Sequence, residues 1–317
     1  MTKDETYKLI QDFLKEPPIV IWGSGATIAY GLPSMDELNN VLKTKYDFFD
    51  KSNTNLEEEL GNPKYESRLN DIRKTIWNHV YEKDNSILCD ILITPQKYDG
   101  IKLLIEKFTQ PHPHVFNIIT TNYDRVLENI MGLYNISFSD GFSGRILSVF
   151  DENLFQTKAE TAFVNLIKVH GSLNWFEIDG QTRYFNKNDT YEPQIIPPGK
   201  NKYRQAFFDP YRNLIQISDK KINNSKTLLV IGFGFNDEHI TPRITNKIRN
   251  GIPIVVITKE ITSTTKEELK KATSYLTLEE SEGNKTKITY KKINEKNEHV
   301  EIIDGSLWKL DNFMEAL

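Results

Sequence analysis

Apolar residues follow two rhythms along this 317-residue chain. In the first, four short runs are apolar or nearly so: Pro18-Ile19-Val20-Ile21-Trp22, Val115 to Thr120 (broken by Asn117), Leu228-Leu229-Val230-Ile231-Gly232 and Ile252 to Thr258. Runs of this length suit strands covered on both faces. A shorter run, Leu166 to Val169, leads into His170. In the second rhythm apolar residues recur at helical spacing. Residues 5–15 carry Tyr7, Ile10, Phe13 and Leu14 on one face; residues 99–109 carry Ile101, Leu104, Ile105 and Phe108. Further helices are expected at Asp124 to Ile130 (stopped by Gly132), at 203–218 and after Asp237. Strands alternating with helices imply an α/β fold with a mostly parallel sheet and helices on both faces.

Two stretches depart from that alternation. Residues 35–95 are polar and charged, with Leu69, Ile72, Ile76, Trp77 and Val80 at helical spacing; they read as a mainly helical insertion covering the site. From 136 to 200 the pattern is short strands and turns, with Pro193, Pro197, Pro198 and Gly199 forming a loop. Residues 261–317 are patterned more weakly. Ile288 to Ile303 suggests a charged hairpin around Asn294 to Asn297, followed by a short helix with Leu307, Trp308 and Leu310. The expected organisation is one domain over 1–317, with a core at about 17–260, the insertion at about 35–95 and a C-terminal extension at 261–317.

Composition narrows the classes. Hydrophobic residues make up 38% and charged residues 26%, as in ordinary soluble domains. A net charge of −4 gives no reason to expect nucleic acid. Runs such as Thr227 to Gly234 are too short to span a bilayer, and the first residues lack an apolar signal segment. A cytoplasmic protein with no membrane contact is expected. The single cysteine, Cys89, excludes an internal disulfide and a zinc site built on several thiolates; it reads as a small buried apolar residue.

Three motifs follow three of the apolar strands. Gly23-Ser24-Gly25-Ala26-Thr27 runs on to Gly31-Leu32-Pro33. Glycine at 23 permits a sharp turn and glycine at 25 a close approach of phosphate. Thr27 and the amides around it would then face the phosphates from a helix start. The loop is neither a dehydrogenase fingerprint, since Ile28 stands where a third glycine belongs, nor a Walker loop, which needs Gly-Lys-Ser/Thr. Thr120-Thr121-Asn122-Tyr123-Asp124 offers an amide and a carboxylate that either serve a ligand or cap the next helix. Val169-His170-Gly171-Ser172 offers an imidazole that titrates near neutrality, with Gly171 leaving space beside it. A fourth motif, Gly232-Phe233-Gly234-Phe235-Asn236-Asp237, allows a second close backbone approach, and Asp237 suits the cap of a helix through His239. His79, His112, His114 and His299 suggest no paired metal ligands, and no rival to His170 is expected in the site. Loops at the carboxyl ends of strands in an open α/β sheet are where nucleotides bind.

In these motifs the chain resembles the sirtuin family, and within it the bacterial sirtuin-like antiphage-defence branch of NADases found in Thoeris, defence-associated sirtuins and sirtuin/HerA systems. Gly23 to Thr27 through Gly31-Leu32-Pro33 matches the family's Gly-Ala-Gly-Ile-Ser and Gly-Ile-Pro. Thr121-Asn122-Tyr123-Asp124 matches Gln-Asn-Ile-Asp, His170-Gly171 the catalytic His-Gly, and Gly232 to Asp237 the place of the late Gly-Thr/Ser loop. The resemblance covers about residues 17–260. Two departures count against protein deacylation: Ser34-Met35-Asp36 replaces Asp-Phe-Arg, and one cysteine cannot form the four-cysteine zinc module.

The resemblance implies a Rossmann-like domain that hydrolyses NAD⁺ to nicotinamide and ADP-ribose, with no metal. It assigns catalysis to His170 as general base and to Asn122 as the group positioning ribose hydroxyls or water. It assigns NAD⁺ binding to Gly23, Ser24, Gly25, Ala26, Thr27, Pro33, Asp124, Gly232 and Gly234. It further implies a homo-oligomer controlled in trans, by a HerA-type ATPase or a phage-derived activator. An NAD-dependent deacylase and a non-catalytic NAD or ADP-ribose sensor are the alternatives. Product analysis with an acylated peptide separates the first, and tight binding without nicotinamide release the second.

Overall fold

The computed structural model describes residues 1–144, 147–185, 190–199 and 208–317. Its centre is a nine-stranded sheet of β1 (Ile19–Trp22), β2 (Val115–Thr120), β3 (Ser137–Ser139), β5 (Phe163–Lys168), β9 (Leu228–Ile231), β10 (Ile254–Ile257), β11 (Tyr275–Ser281), β12 (Lys285–Lys291) and β13 (His299–Asp304), in the order β13-β12-β11-β10-β9-β1-β2-β5-β3. The pairs from β3 to β11 are parallel, and β11-β12 and β12-β13 are antiparallel. This is the expected mixed α/β class, a large mostly parallel sheet flanked by helices.

Alternation within the strands shows why the apolar runs are nearly continuous. In β1, Val20 and Trp22 face one hydrophobic cluster while Ile19 and Ile21 face a second; in β9 and β10 successive residues divide in the same way. Helices cover each face. Helices α1 (Lys3–Phe13), α3 (Met35–Lys45), α5 (Leu69–Ile93), α6 (Asp99–Thr109), α7 (Val126–Leu133) and α11 (Leu310–Met314) build the first cluster, while α8 (Tyr211–Asn224), α9 (Thr241–Arg249) and α10 (Ser263–Leu269) build the second. Two short helices, α2 (Gly25–Ile28) and α4 (Leu56–Leu60), lie near the crevice described below. Local signals agree: Thr2 and Glu5 form a capping box on α1, and Ser34 caps α3.

Several expectations shift. The helix placed at 203–218 is α8, which begins at Tyr211, and residues 203–207 lie outside the described residues. Pro193 belongs to β8 (Glu192–Ile195), part of a small antiparallel sheet with β4 (Ser148–Val149), β6 (Gly171–Ile178) and β7 (Gln181–Tyr184), in the order β4-β7-β6-β8. Gly132 does not stop α7, which runs through it to Leu133. Strand β11 was not expected, while the hairpin around Asn294 to Asn297 is present as β12 and β13. The C-terminal helix starts at Leu310, so Leu307 and Trp308 precede it. Cys89 is exposed rather than buried. Among the described residues no helix is long and apolar enough to cross a membrane.

Candidate active site

Strands β1 and β9 are neighbours from which the chain runs in opposite directions across the sheet, from β1 to β2 and from β9 to β10. Outside the carboxyl ends at such a switch point an open α/β sheet leaves a crevice. Here it is a cavity of about 190 Å³ whose floor carries Ser24 and Thr27 after β1, Asn122 and Asp124 after β2, His170 after β5, and Gly232, Gly234, Asn236 and Asp237 after β9. Leu32, Pro33, Met35, Leu38, Glu57 and Val80 form the roof. The four motifs therefore meet in one place.

The glycines of the first and fourth motifs serve a contact between two loops. The loops after β1 and β9 interlock backbone to backbone. Gly25 N–H donates to Gly232 O at 2.9 Å, and Gly23 N–H to Ile231 O at 2.9 Å. A Cβ on Gly23 would stand 2.5 Å from Gly232 O, and one on Gly232, whose φ is +60°, would stand 2.1 Å from Ala26 N. What stands against the Cβ positions of these glycines is the other loop. The amides of Ala26 and Thr27 are also engaged, with Gly23 O at 3.1 Å and Ser24 O at 3.0 Å. From this loop Ser24 and Thr27 line the cavity. At Gly171 the backbone itself demands glycine: its φ is +86°, and a Cβ there would meet Gln194 O at 2.1 Å.

Asn122 joins the first two motifs. Its Nδ2 donates to Gly23 O and Thr27 Oγ1, each at 3.2 Å. Its N–H donates to Thr120 Oγ1 at 3.0 Å, and that hydroxyl donates to Trp22 O at 2.8 Å. Asp124 both caps and faces the site. Its Oδ1 accepts from Val126 N–H at 3.2 Å at the start of α7, and its Oδ2 lies 3.4 Å from the Thr27 hydroxyl. Burial pushes the Asp124 carboxyl up to about 7; Lys168 opposes that shift, while Asp84 and Glu128 add to it. Burial likewise pushes Asp140 up to about 6.

Lys168 is a residue the sequence reading missed. It ends β5 fully buried, with Nζ 2.5 Å from Asp124 O and paired with Glu128. A cation inside an otherwise apolar strand was the available signal, since such a group is buried only with partners. On the outer side of Asp124, the carboxylate of Asp84 on α5 takes Arg125 N–H at 2.6 Å and Arg125 Nε at 2.8 Å. Trp77 Nε1 donates to Leu173 O at 3.0 Å. These bonds fix α5 to the floor.

His170 occupies the tight connection between β5 and β6 and is buried. Its Nε2 lies 3.0 Å from Asp237 Oδ2. Asp237 Oδ1 accepts from His239 N–H at 3.0 Å and Ile240 N–H at 3.1 Å. The carboxylate thus pins the turn before α9 and faces the imidazole at once. The ring of His239 stands 5.7 Å from that of His170 at 86°, so a second histidine does neighbour the first, contrary to expectation.

The SIR2-like domain model matches residues 117–300, more than half of the chain. The chain belongs to the SIR2-like domain family. Among solved structures, it is similar to a Sir2 homologue in complex with NAD (16% identity, covering 83% of this chain and 86% of that one, TM-score 0.45). It is also similar to Sir2Tm bound to a propionylated peptide (13% identity, covering 81% and 87%, TM-score 0.43). No curated protein matches it.

Proposed function

We propose that the chain is an NAD⁺ glycohydrolase that acts in antiphage defence by depleting NAD⁺ in the cytoplasm. The observation that carries this reading is the His170–Asp237 pair, 3.0 Å apart and lining the same cavity as Asn122 and Asp124. Asp237 Oδ2 stands within reach of Nε2 by distance but off the hydrogen-bond line; once the ring turns to align with that carboxylate, the tautomer with its proton on Nε2 is favoured and the lone pair is left on Nδ1. That nitrogen takes the proton from water, or from a ribose hydroxyl, as the bond between C1′ and the nicotinamide nitrogen breaks. The bonding electrons neutralise the pyridinium, and water oxygen adds to C1′. Asn122, held on Gly23 and Thr27, positions the hydroxyls or the water. Asp124 contacts the carboxamide. Ser24 and Asn236 are the polar side chains offered to the pyrophosphate, since the amides of Gly23, Gly25, Ala26 and Thr27 are engaged. A single cysteine favours hydrolysis over a deacylase braced by four thiolates.

The cavity, about 190 Å³, is smaller than the roughly 300–1,000 Å³ of ordinary ligand pockets. This supports a closed resting form. Since α5 is fixed to the floor, the part of the roof that opens is the segment 32–60, under control of a homo-oligomeric assembly or a partner such as a HerA-type ATPase. His170→Ala should lower nicotinamide release by about 100- to 10,000-fold, the span of general base catalysis, and leave NAD⁺ binding intact by calorimetry. Asn122→Ala should cost about 100-fold. Full turnover in His170→Ala would remove the base assignment, and NAD⁺ binding by the parent with no nicotinamide release under any partner would favour a sensor.

A further inference from the structure

The turn after β9 brings together more than the catalytic pair. Asp237 and His239 are two residues apart, and the turn folds back on the Asp237 carboxylate through two N–H donors. His170, Asp237 and His239 each offer one ligand atom, and all three atoms lie within 4.8 Å of one another. Two imidazole nitrogens and one carboxylate oxygen form a donor set for first-row transition metals, and three protein ligands with an open fourth position characterise accessible zinc sites. His170 Nε2 and Asp237 Oδ2 are 3.0 Å apart, close to the roughly 3.3 Å between tetrahedral ligands at zinc bond lengths. The looser contact closes by a turn of the His239 ring, which is half-buried and does not line the crevice. The hydrogen bonds on Oδ1 hold the carboxylate as outer-layer bonds hold metal ligands.

We infer that His170, Asp237 and His239 capture one divalent transition-metal ion, of the zinc class, and that its capture switches the site off. The binding stands on the cluster alone. The inhibitory consequence rests on the hydrolase reading proposed above. A dication takes the lone pair of Nε2, so the ring proton that stood there moves to Nδ1, and Nδ1, now protonated, has no lone pair with which to accept another. The ion therefore competes with catalysis. It also gives His239 a use that NAD⁺ hydrolysis does not.

The test uses the full chain stripped of metal, with Zn²⁺ followed by calorimetry and Co²⁺ by its visible spectrum. The parent should bind one ion per chain, give a tetrahedral cobalt spectrum and lose turnover, which chelator restores. His239→Ala should bind zinc at least about 100-fold more weakly, keep its turnover in metal-free buffer and become insensitive to added zinc. His239→Gln serves if the alanine variant misfolds. Asp237→Asn should also weaken zinc binding, as judged by calorimetry. Equal zinc affinity in parent and His239→Ala, or zinc that raises turnover, overturns the inference. Were the parent to show no NAD⁺ turnover, the hydrolase reading would fail, and the cobalt spectrum and calorimetry would still decide the metal site.

Discussion

The floor and the roof of the crevice are built on different principles. Floor groups are buried and committed to one another: Asn122 to Gly23 and Thr27, Lys168 to Asp124 and Glu128, His170 to Asp237, and the loop after β1 to the loop after β9. Over the cavity the roof segment is mainly apolar, with Glu57 the one carboxylate among the roof residues named above. Two carboxylates make the contrast concrete. Asp124 in the floor is driven up by burial, whereas Glu37 on the roof helix α3 is held down, chiefly by its hydrogen bond to His79. The first protonation equilibrium is set by exclusion of water, the second by a half-buried partner at the surface, of small energetic weight. A rigid floor with a loosely pinned roof separates chemistry from access.

The largest expected break in that comparison is Gly232→Ala. The new Cβ would stand 2.1 Å from Ala26 N and 2.4 Å from Gly25 C, both backbone atoms with nowhere to go. Overpacking plus a left-handed φ should cost on the order of 3 kcal/mol or more, read from urea unfolding with an unchanged m-value. A cost below about 1 kcal/mol, the size of an average substitution, would mean that the loops are not interlocked.

A smaller effect lies in pH. Asp124 and Asp140 have folded values near 7 and 6, above the ordinary carboxylate range near 4. The fold therefore favours their protonated forms. Their contribution to stability is fully present below about pH 4 and is lost as pH rises through the folded values near 6 and 7. The melting temperature should fall between about pH 4 and pH 7 and level off above, and Asp124→Asn should flatten that fall. An equally steep profile in the variant would assign the pH dependence elsewhere.

The smallest effect belongs to the roof. Met35 lines the cavity yet is 38% exposed. Met35→Ala should change stability by no more than about 0.5 kcal/mol while altering the KM for NAD⁺. A loss of about 2 kcal/mol or more, as for a core methionine, would make the roof part of the core and erase the distinction.

The strands that carry the site were legible because parallel strands covered on both faces must be apolar at nearly every position; β2 was readable to the residue. The four motifs were legible because each follows such a strand. What approaches a glycine was not. A sequence shows where a side chain is forbidden, and at Gly23, Gly25 and Gly232 the prohibition comes from a loop distant in the chain. Lys168 was hidden by the apolar company that defines its strand. His239 was hidden because its meeting with His170 depends on the turn that Asp237 makes. The small sheet of β4, β6, β7 and β8 mixes proline, charge and aromatic residues, so no two-residue alternation marks it.

The interlocked loops also set an order in time. Gly23 and Gly25 emerge early in synthesis, whereas the strand and loop they clasp, Ile231 and Gly232, come only after the insertion, the small sheet and α8. Contacts of such separation form late, after the intervening chain has been ordered. A growing chain therefore carries His170 before Asp237 exists to face it, and the pocket is complete only once most of the polypeptide has been made.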